Sequence, residues 1–168
     1  MIDAKVLLSS SPSQVINIGS FIKIIMGQLI LAFGVYHLME TNLIESYLNI
    51  DFGMVLLVQS YFTFMLLLWT WLKVSVIEYK IVGERLSIKS GVFNRITDEL
   101  ELYRVKDYGL SEPFFLRLFG LGNLTLQTSD SSSPVVILEA IGDGQLLLSK
   151  IRHRVEKLRK TKGVREID

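Results

Sequence analysis

The chain has 168 residues, of which 49% are hydrophobic and 21% are charged, and its net charge is +1. Its mean hydropathy of +0.39 points toward a membrane protein. The absence of cysteine excludes disulfides, thiolate metal ligands and a thiol nucleophile. The length accommodates a helical hairpin and one further domain of roughly 100 residues.

Residues 1–20 are interpreted as an N-terminal segment, and the serine-rich run Ser9–Ser13 as a loop. The first apolar segment, residues 21–39, includes Lys23, whose long side chain can reach the membrane interface. This composition predicts a transmembrane helix. A cleavable signal peptide is the alternative, but the segment starts late and no small-x-small cleavage pattern follows it.

The second apolar segment, residues 52–72, contains no charged residue. As a helix it would be about 31 Å long, which matches the thickness of a hydrocarbon core. Trp69 and Trp71 near its end, followed by Lys73, are typical of a membrane interface. We therefore predict a two-helix transmembrane hairpin with a short loop at residues 40–51.

The charges flanking these segments predict the orientation of the hairpin. Lys5 and Lys23 precede the first helix or lie at its start, whereas the loop between the helices carries only acidic residues, namely Glu40, Glu45 and Asp51. Cations return after the second helix. The positive-inside rule then places both termini in the cytoplasm and the acidic loop outside.

Few polar residues interrupt the two apolar segments. Gln28, Gln59 and Thr63 are predicted to make helix–helix contacts, within the hairpin or with a neighbouring subunit, because lipid-facing amides are costly. His37 is interpreted as an interfacial residue near the end of its helix. Nothing in this pattern favours a conducting pore.

From residue 73 onward the periodicity becomes alternating, which predicts short antiparallel strands. Turns are expected at Gly83-Glu84 and Ser90-Gly91, and a strand around Tyr108 is expected to end at Pro113. Two later strands, at 123–128 and 135–139, flank a serine-rich turn. The residues expected to face inward are Ser75, Ile77, Tyr79, Ile81, Leu86, Ile88, Ile96, Leu100 and Leu102.

The run FFLRLFGL from Phe114 to Leu121 predicts a short helical or irregular apolar plug. Its large side chains are Phe114, Phe115, Leu116 and Phe119. Core filling is the favoured interpretation, since exposed patches of this size are uncommon. The alternative is an interaction surface for a second copy or for the bilayer.

A C-terminal amphipathic helix is predicted from Asp143, as its cap, to about Lys160. Its apolar stripe contains Leu147, Leu148, Ile151, Val155 and Leu158. Its polar side is strongly basic, with Lys150, Arg152, Arg154, Lys157, Arg159 and Lys160. Together with Lys73 these cations are candidates for contact with anionic lipid headgroups. The equally weighted alternative is a solvated face whose cations suit a helix C-terminus.

Three runs follow one another in the C-terminal part, namely IEYKIVGERLSIKSGVFNR, LYRVKDYGLSEPFFLRLFGLGNLTLQT and PVVILEAI. Their order resembles the bacterial membrane PH-like domain family. It implies an α+β membrane protein in which the two-helix hairpin precedes a PH-like β-barrel or sandwich at 73–160, closed by the C-terminal helix and followed by a polar tail at 161–168. It also implies a bacterial inner-membrane location and recurrent oligomers.

The cations of the predicted first strand pair, Lys80, Arg85 and Lys89, are interrupted by Glu84, so phosphoinositide binding is not expected. No nucleic-acid partner is expected either, because no base-reading motif accompanies the basic helix. The sequence shows no catalytic, metal or cofactor constellation. We expect a non-enzymatic, membrane-anchored interaction module that self-assembles. The alternatives are an accessory subunit of a larger membrane transport or envelope-stress complex and a small channel.

Overall fold

A computed structural model of the chain describes residues 6–40 and 51–163, without the side chains of residues 6–8 and 40. Asn17–Leu72 form one compact unit, and the described residues on either side of that segment form a second. Most of the predicted loop at 40–51 and of the polar tail at 161–168 lies outside the described residues. The flanking charges Lys5 and Glu45 lie outside them as well.

The first unit is a pair of long helices. A 3-10 turn at Gln14–Asn17 leads into α1 (Ile18–Glu40), and α2 spans Phe52–Ser75. Both helices are long and apolar enough to cross a membrane. Large apolar side chains are exposed along both, which is the pattern of helices whose solvent is lipid.

The second unit contains two antiparallel sheets and two helices. One sheet has the order β1-β2-β3-β4, and the other has the order β5-β6-β7. The strands are β1 (Val6–Ser10), β2 (Glu78–Val82), β3 (Arg85–Ser90), β4 (Ile96–Glu101), β5 (Val105–Ser111), β6 (Leu121–Thr128) and β7 (Val135–Gly142). Helix α3 (Phe114–Leu118) connects β5 to β6, and α4 (Gly144–Lys162) follows β7. This is the predicted α+β architecture.

Strand β1 comes from the N-terminal segment that the sequence analysis treated as a loop. It pairs antiparallel with β2, with Ser10 opposite Tyr79 and Ser9 opposite Lys80. The loop prediction is therefore wrong at Ser9 and Ser10. Serine is a weak strand former and the partner strand is some 70 residues away, so the pairing leaves no local periodicity to detect. As a result the hairpin is inserted between two neighbouring strands of one sheet.

The core lies between the sheets and α4. Its fully buried side chains come from both sheets and from one stripe of the helix, namely Tyr79, Ile81, Leu86, Leu100, Leu102, Val105, Leu124, Leu126, Leu138, Ile141, Leu147, Ile151, Val155 and Leu158. The predicted alternation in β2 and β3 and the predicted stripe of the C-terminal helix are confirmed. Burial of this apolar set is the main stabilising term for the domain.

Three sequence predictions need correction. Ser75 lies in the last turn of α2 and not in a strand. Ile96 is 51% exposed, because it starts β4 at the end of its sheet and not over the core. Asp143 occupies the position before α4, but its backbone is left-handed (φ 51°) and its side chain makes no capping hydrogen bond. A capping residue usually has an extended backbone, from which its side chain accepts a hydrogen bond from an amide of the first helical turn.

Candidate interaction surfaces

The polar residues of the hairpin come together between the two helices. The Gln59 amide nitrogen donates to the carbonyl oxygen of Gln28 at 2.9 Å, and the Thr63 hydroxyl contacts the Gln28 side-chain oxygen. Nearer the other end, Asn17 donates to the carbonyl of Thr70 at 3.2 Å. In an apolar solvent these bonds satisfy groups that lipid cannot, so they hold the two helices in register.

An apolar groove of about 420 Å³ lies on the surface of the helix pair. It is lined by Leu31, Met54, Val55, Val58, Gln59 and Phe62. The side-chain oxygen of Gln59 is buried and has no hydrogen-bond partner among the described residues. An unsatisfied buried acceptor destabilises this part of the hairpin by about 1–3 kcal/mol.

Helix α3 exposes most of the aromatic run that the sequence analysis assigned to the core. Leu116 is buried, with 7% of its surface exposed. Phe114, Phe115 and Phe119 are instead 61%, 63% and 59% exposed, and Leu118 is exposed beside them. The favoured interpretation of core filling is therefore wrong for the three phenylalanines. A helix of five residues makes little more than one turn, so it can direct only one large side chain inward.

The cations of α4 divide into two groups. Arg154 donates to the carbonyl of Gly83 at 3.1 Å, Arg159 donates to that of Val105 at 2.5 Å, and Lys162 pairs with Glu84 at 2.5 Å. These three tie the helix to the sheets. The others, Lys150, Arg152, Lys157 and Lys160, are exposed, with Arg152 close to Glu156 at 3.8 Å. Part of the basic stretch is thus structural, and its headgroup role stays a prediction.

A 3-10 turn at Leu102–Arg104 joins the two sheets and carries a charged network. The guanidinium of Arg104 pairs with Glu101 at 3.2 Å and with Asp130 at 3.0 Å. The Tyr103 hydroxyl donates to Glu101 at 2.5 Å, and this hydrogen bond lowers the pKa of the Glu101 carboxyl. The hydroxyl and amide of Ser132 likewise lower the pKa of Asp130.

The points where the chain leaves and re-enters the second unit lie side by side. The Gln14 amide nitrogen donates to the Ser75 hydroxyl at 2.8 Å. The amide of Ser13 donates to the carbonyl of Ala140, near the end of β7, at 3.1 Å. After two intervening residues, Val76 and Ile77, the chain enters the first sheet at Glu78. Lys73 belongs to this same unit and marks the cationic end of α2.

Metal-binding geometry is not found among residues 6–40 and 51–163, where no group of three or more histidine, aspartate and glutamate side chains could hold an ion. His37 lies in α1, with its ring 4.5 Å from that of Phe33, and His153 is exposed on α4. The two histidines therefore belong to different units.

Comparison with known families decides the assignment of the chain. A family model described as a bacterial PH domain matches residues 16–156, which include the hairpin and nearly all of the sheet domain. The chain belongs to the bacterial PH domain family. The resemblance seen in the sequence is thereby confirmed, together with the PH-like sandwich of two sheets and a C-terminal helix. Searches among curated proteins and among solved structures give no match.

In this bacterial PH domain two of the strand cations, Lys80 and Arg85, are paired with neighbouring carboxylates. Lys80 contacts Glu78 at 2.6 Å, and Arg85 contacts Glu99 at 3.0 Å. Lys80 also lowers the pKa of Glu78 through their hydrogen bond. These pairs are partly to well exposed and contribute little to stability. They are cations of an ordinary charged sheet surface and do not converge on a common centre.

Proposed function

We propose that this chain is a non-enzymatic, membrane-anchored PH-like interaction module that self-assembles at the bacterial inner membrane. The observation that carries the proposal is the exposed aromatic face of α3, formed by Phe114, Phe115, Leu118 and Phe119. Contiguous apolar patches of roughly 300–600 Å² are the largest found on typical monomers and are often functional. Three of these exposed side chains lie on the short helix, and Phe119 follows it directly.

The inserted position of the hairpin supports a membrane anchor with both ends on one side. Strands β1 and β2 are neighbours in one sheet, although α1 and α2 lie between them in sequence. A chain that starts and finishes in the same sheet must cross a bilayer an even number of times. The cations that follow α2, beginning with Lys73, favour the cytoplasm as that side.

A second copy of this chain is the occupant that we assign to the α3 face. The hairpin confines every copy to the same plane and orientation, which raises the effective concentration of identical faces. Phe114 and Phe115 already meet edge-to-face, with ring centroids 5.6 Å apart. An isologous dimer brings the same patch of both copies together, and aromatic rings pack favourably against one another in offset or edge-to-face arrangements.

The alternative function is that of an accessory subunit in a larger membrane transport or envelope-stress complex. The observation that favours it is the groove of the hairpin with the unsatisfied Gln59 oxygen at its side. A helix of another chain that carried a hydrogen-bond donor would complete this site after a small rotation of the amide.

The test is purification of the full chain from native membranes in mild detergent, followed by crosslinking and measurement of the intact mass. We expect a discrete homo-oligomer for the native chain and a folded monomer for Phe115→Asp. Val135→Asp, which alters another exposed apolar residue, on β7, is the matched control and should leave the oligomer intact. Leu116→Asp should unfold the domain instead, because that residue is buried.

Two results would contradict self-assembly. A native chain that is monomeric in its own membranes would remove the proposal. Recovery of a stoichiometric second protein, unaffected by Phe115→Asp, would favour the accessory subunit in its place.

A further inference from the structure

We propose that the loop between β3 and β4, Gly91–Arg95, lies in the headgroup region of the bilayer and inserts the Phe93 ring at the boundary with the acyl chains. The starting observation is that Phe93 is 89% exposed, more than any other large hydrophobic side chain described. The inference rests on the membrane anchoring proposed above, and it concerns a surface separate from α3.

Strand register places this loop at the end of the sheet that the hairpin enters. Glu78, the first residue of β2, pairs with Lys89 of β3. Strand β3 continues to Ser90, which pairs with Ile96 of β4, and the loop follows. Because β2 and β3 are antiparallel, the end of β3 extends beyond Glu78 on the side where the chain enters β2 from α2.

The distance from the strand end to the end of α2 is short. Two residues, Val76 and Ile77, separate Ser75 from Glu78, and residues in an extended chain rise only about 3.3 Å each. The backbone amide of Ile77 also bonds to the carbonyl of Val74, which shortens the connection further. The loop therefore projects toward the level of Lys73–Ser75, where the predicted membrane interface lies.

The composition of the loop suits that level of a membrane. Aromatic rings concentrate at the interface between headgroups and acyl chains, and cations beside them pair with lipid phosphates. Phe93 stands between two cations, Lys89 and Arg95, and the residues from Ser90 to Arg95 include no acid. One exposed apolar ring at the end of a loop, with cations where the loop joins its strands, matches an anionic lipid surface better than it matches a protein pocket.

The backbone of the loop turns back on itself closely at Gly91. Gly91 has φ +99°, and a Cβ atom added there would lie 1.8 Å from the carbonyl oxygen of Asn94. Only glycine permits this close approach. A loop closed in this way loses less conformational entropy on insertion than a mobile loop does. Burial of a single ring is therefore enough to contribute to the free energy of membrane binding.

The C-terminal half of the basic helix α4 is less suited than this loop to contact lipid headgroups. Arg154 and Lys162 are bound at Gly83 and Glu84, the turn between β2 and β3. That turn is at the opposite end of the sheet from Glu78 and from the loop. The end of the domain that carries Phe93 is therefore the end that meets lipid.

The test uses spin labels on single cysteines, which the cysteine-free chain makes straightforward. The full chain is labelled at Phe93→Cys and reconstituted in vesicles of phosphatidylethanolamine and phosphatidylglycerol. Val82→Cys, at the far end of the same sheet, is the matched control, and Leu66→Cys reports on α2. Collisions of each label with oxygen and with a water-soluble nickel chelate give its depth.

We expect the label at Phe93 to be protected from nickel and reached by oxygen, as at Leu66, whereas the label at Val82 is reached by nickel. If the label at Phe93 is as accessible to nickel as the label at Val82, while the label at Leu66 is protected, the inference is overturned but the proposed membrane anchor is not. A Leu66 label open to nickel overturns the anchor and the inference together. Dipolar broadening between Phe93 labels assigns the loop to a contact between copies and overturns lipid insertion.

Discussion

Arg159 lies in the most cationic stretch of the sequence, yet its side chain serves the domain itself. Its guanidinium donates to the carbonyl of Val105 at 2.5 Å and reaches that of Tyr103 at 3.5 Å. Val105 is fully buried, so water cannot replace the arginine at its carbonyl. The neighbouring Lys160 is exposed.

We expect Arg159→Gln to lower the free energy of unfolding by about 1–3 kcal/mol, because a carbonyl of a buried residue loses its charged donor. Lys160→Gln removes the same charge one position later and should change stability by less than about 0.5 kcal/mol. Thermal unfolding of the full chain in detergent measures both. Equal losses for the two variants would mean that the charge of α4, and not this hydrogen bond, stabilises the domain.

Individual buried residues could be predicted where a regular period indicated them. Tyr79 and Ile81 follow the two-residue period of a strand, and Leu147 and Ile151 follow the spacing of a helix. Arg159 could not be distinguished from Lys160 in this way. The carbonyl that it binds belongs to a distant strand, and no sequence pattern reports that the two will meet.

At the scale of elements, the 3-10 turn at Leu102–Arg104 connects the sheets through ionised carboxylates. The pKa of Glu101 is lowered from its ordinary value of 4.5, first by the hydrogen bond from Tyr103 and then by Arg104 and Lys162. A lowered folded pKa means that this contribution to stability is complete above the unfolded pKa. The contribution is lost as the pH falls through the folded value.

Tyr103→Phe keeps the ring that packs under Lys162, whose ammonium is 4.3 Å from the ring centroid, and removes only the hydroxyl. Acidification from neutral pH to below about 4.5 lowers the free energy of unfolding as Glu101 is protonated. We therefore expect this drop to be smaller in the variant than in the native chain. Unfolding midpoints measured across that range test the prediction. An unchanged acid dependence would show that the Tyr103 hydroxyl does not stabilise the charged form of Glu101.

The elements themselves were predictable to different degrees. The hairpin, α4 and six of the seven strands follow from hydrophobic periodicity and turn residues. The direction of the rings on α3 does not, because a helix of five residues is too short to show a period. Only the fold shows that Phe114 and Phe115 face outward.

At the scale of the whole molecule, the domain is discontinuous in sequence. We expect a chain in which Asn17–Leu72 is replaced by a short Gly/Ser linker to fold without detergent, since the Gln14 side-chain amide donates to the Ser75 hydroxyl at 2.8 Å and so holds the two ends of the gap close together. A linker of few residues costs little closure entropy. The same domain without residues 6–16 should be markedly less stable, because β2 loses its neighbour β1.

Circular dichroism and hydrogen exchange of the two soluble chains measure this difference. The amides of β2 that donate to β1 should exchange slowly only when β1 is present, whereas those that donate to β3 should be protected in both chains. Equal protection in both chains would show that the first sheet does not depend on β1.

The insertion of the hairpin between β1 and β2 also sets an order of events during synthesis. The ribosome delivers β1 first, and its partner strand β2 emerges only after some 70 further residues. In the proposed membrane-anchored molecule, the first sheet could then close only after both helices had been integrated with their ends on the same side. A copy with a wrongly integrated hairpin would hold β1 and β2 on opposite sides of the membrane and leave β2 without this neighbour. Under the proposed anchoring, correct integration of the hairpin is thus a condition for completing the sheet.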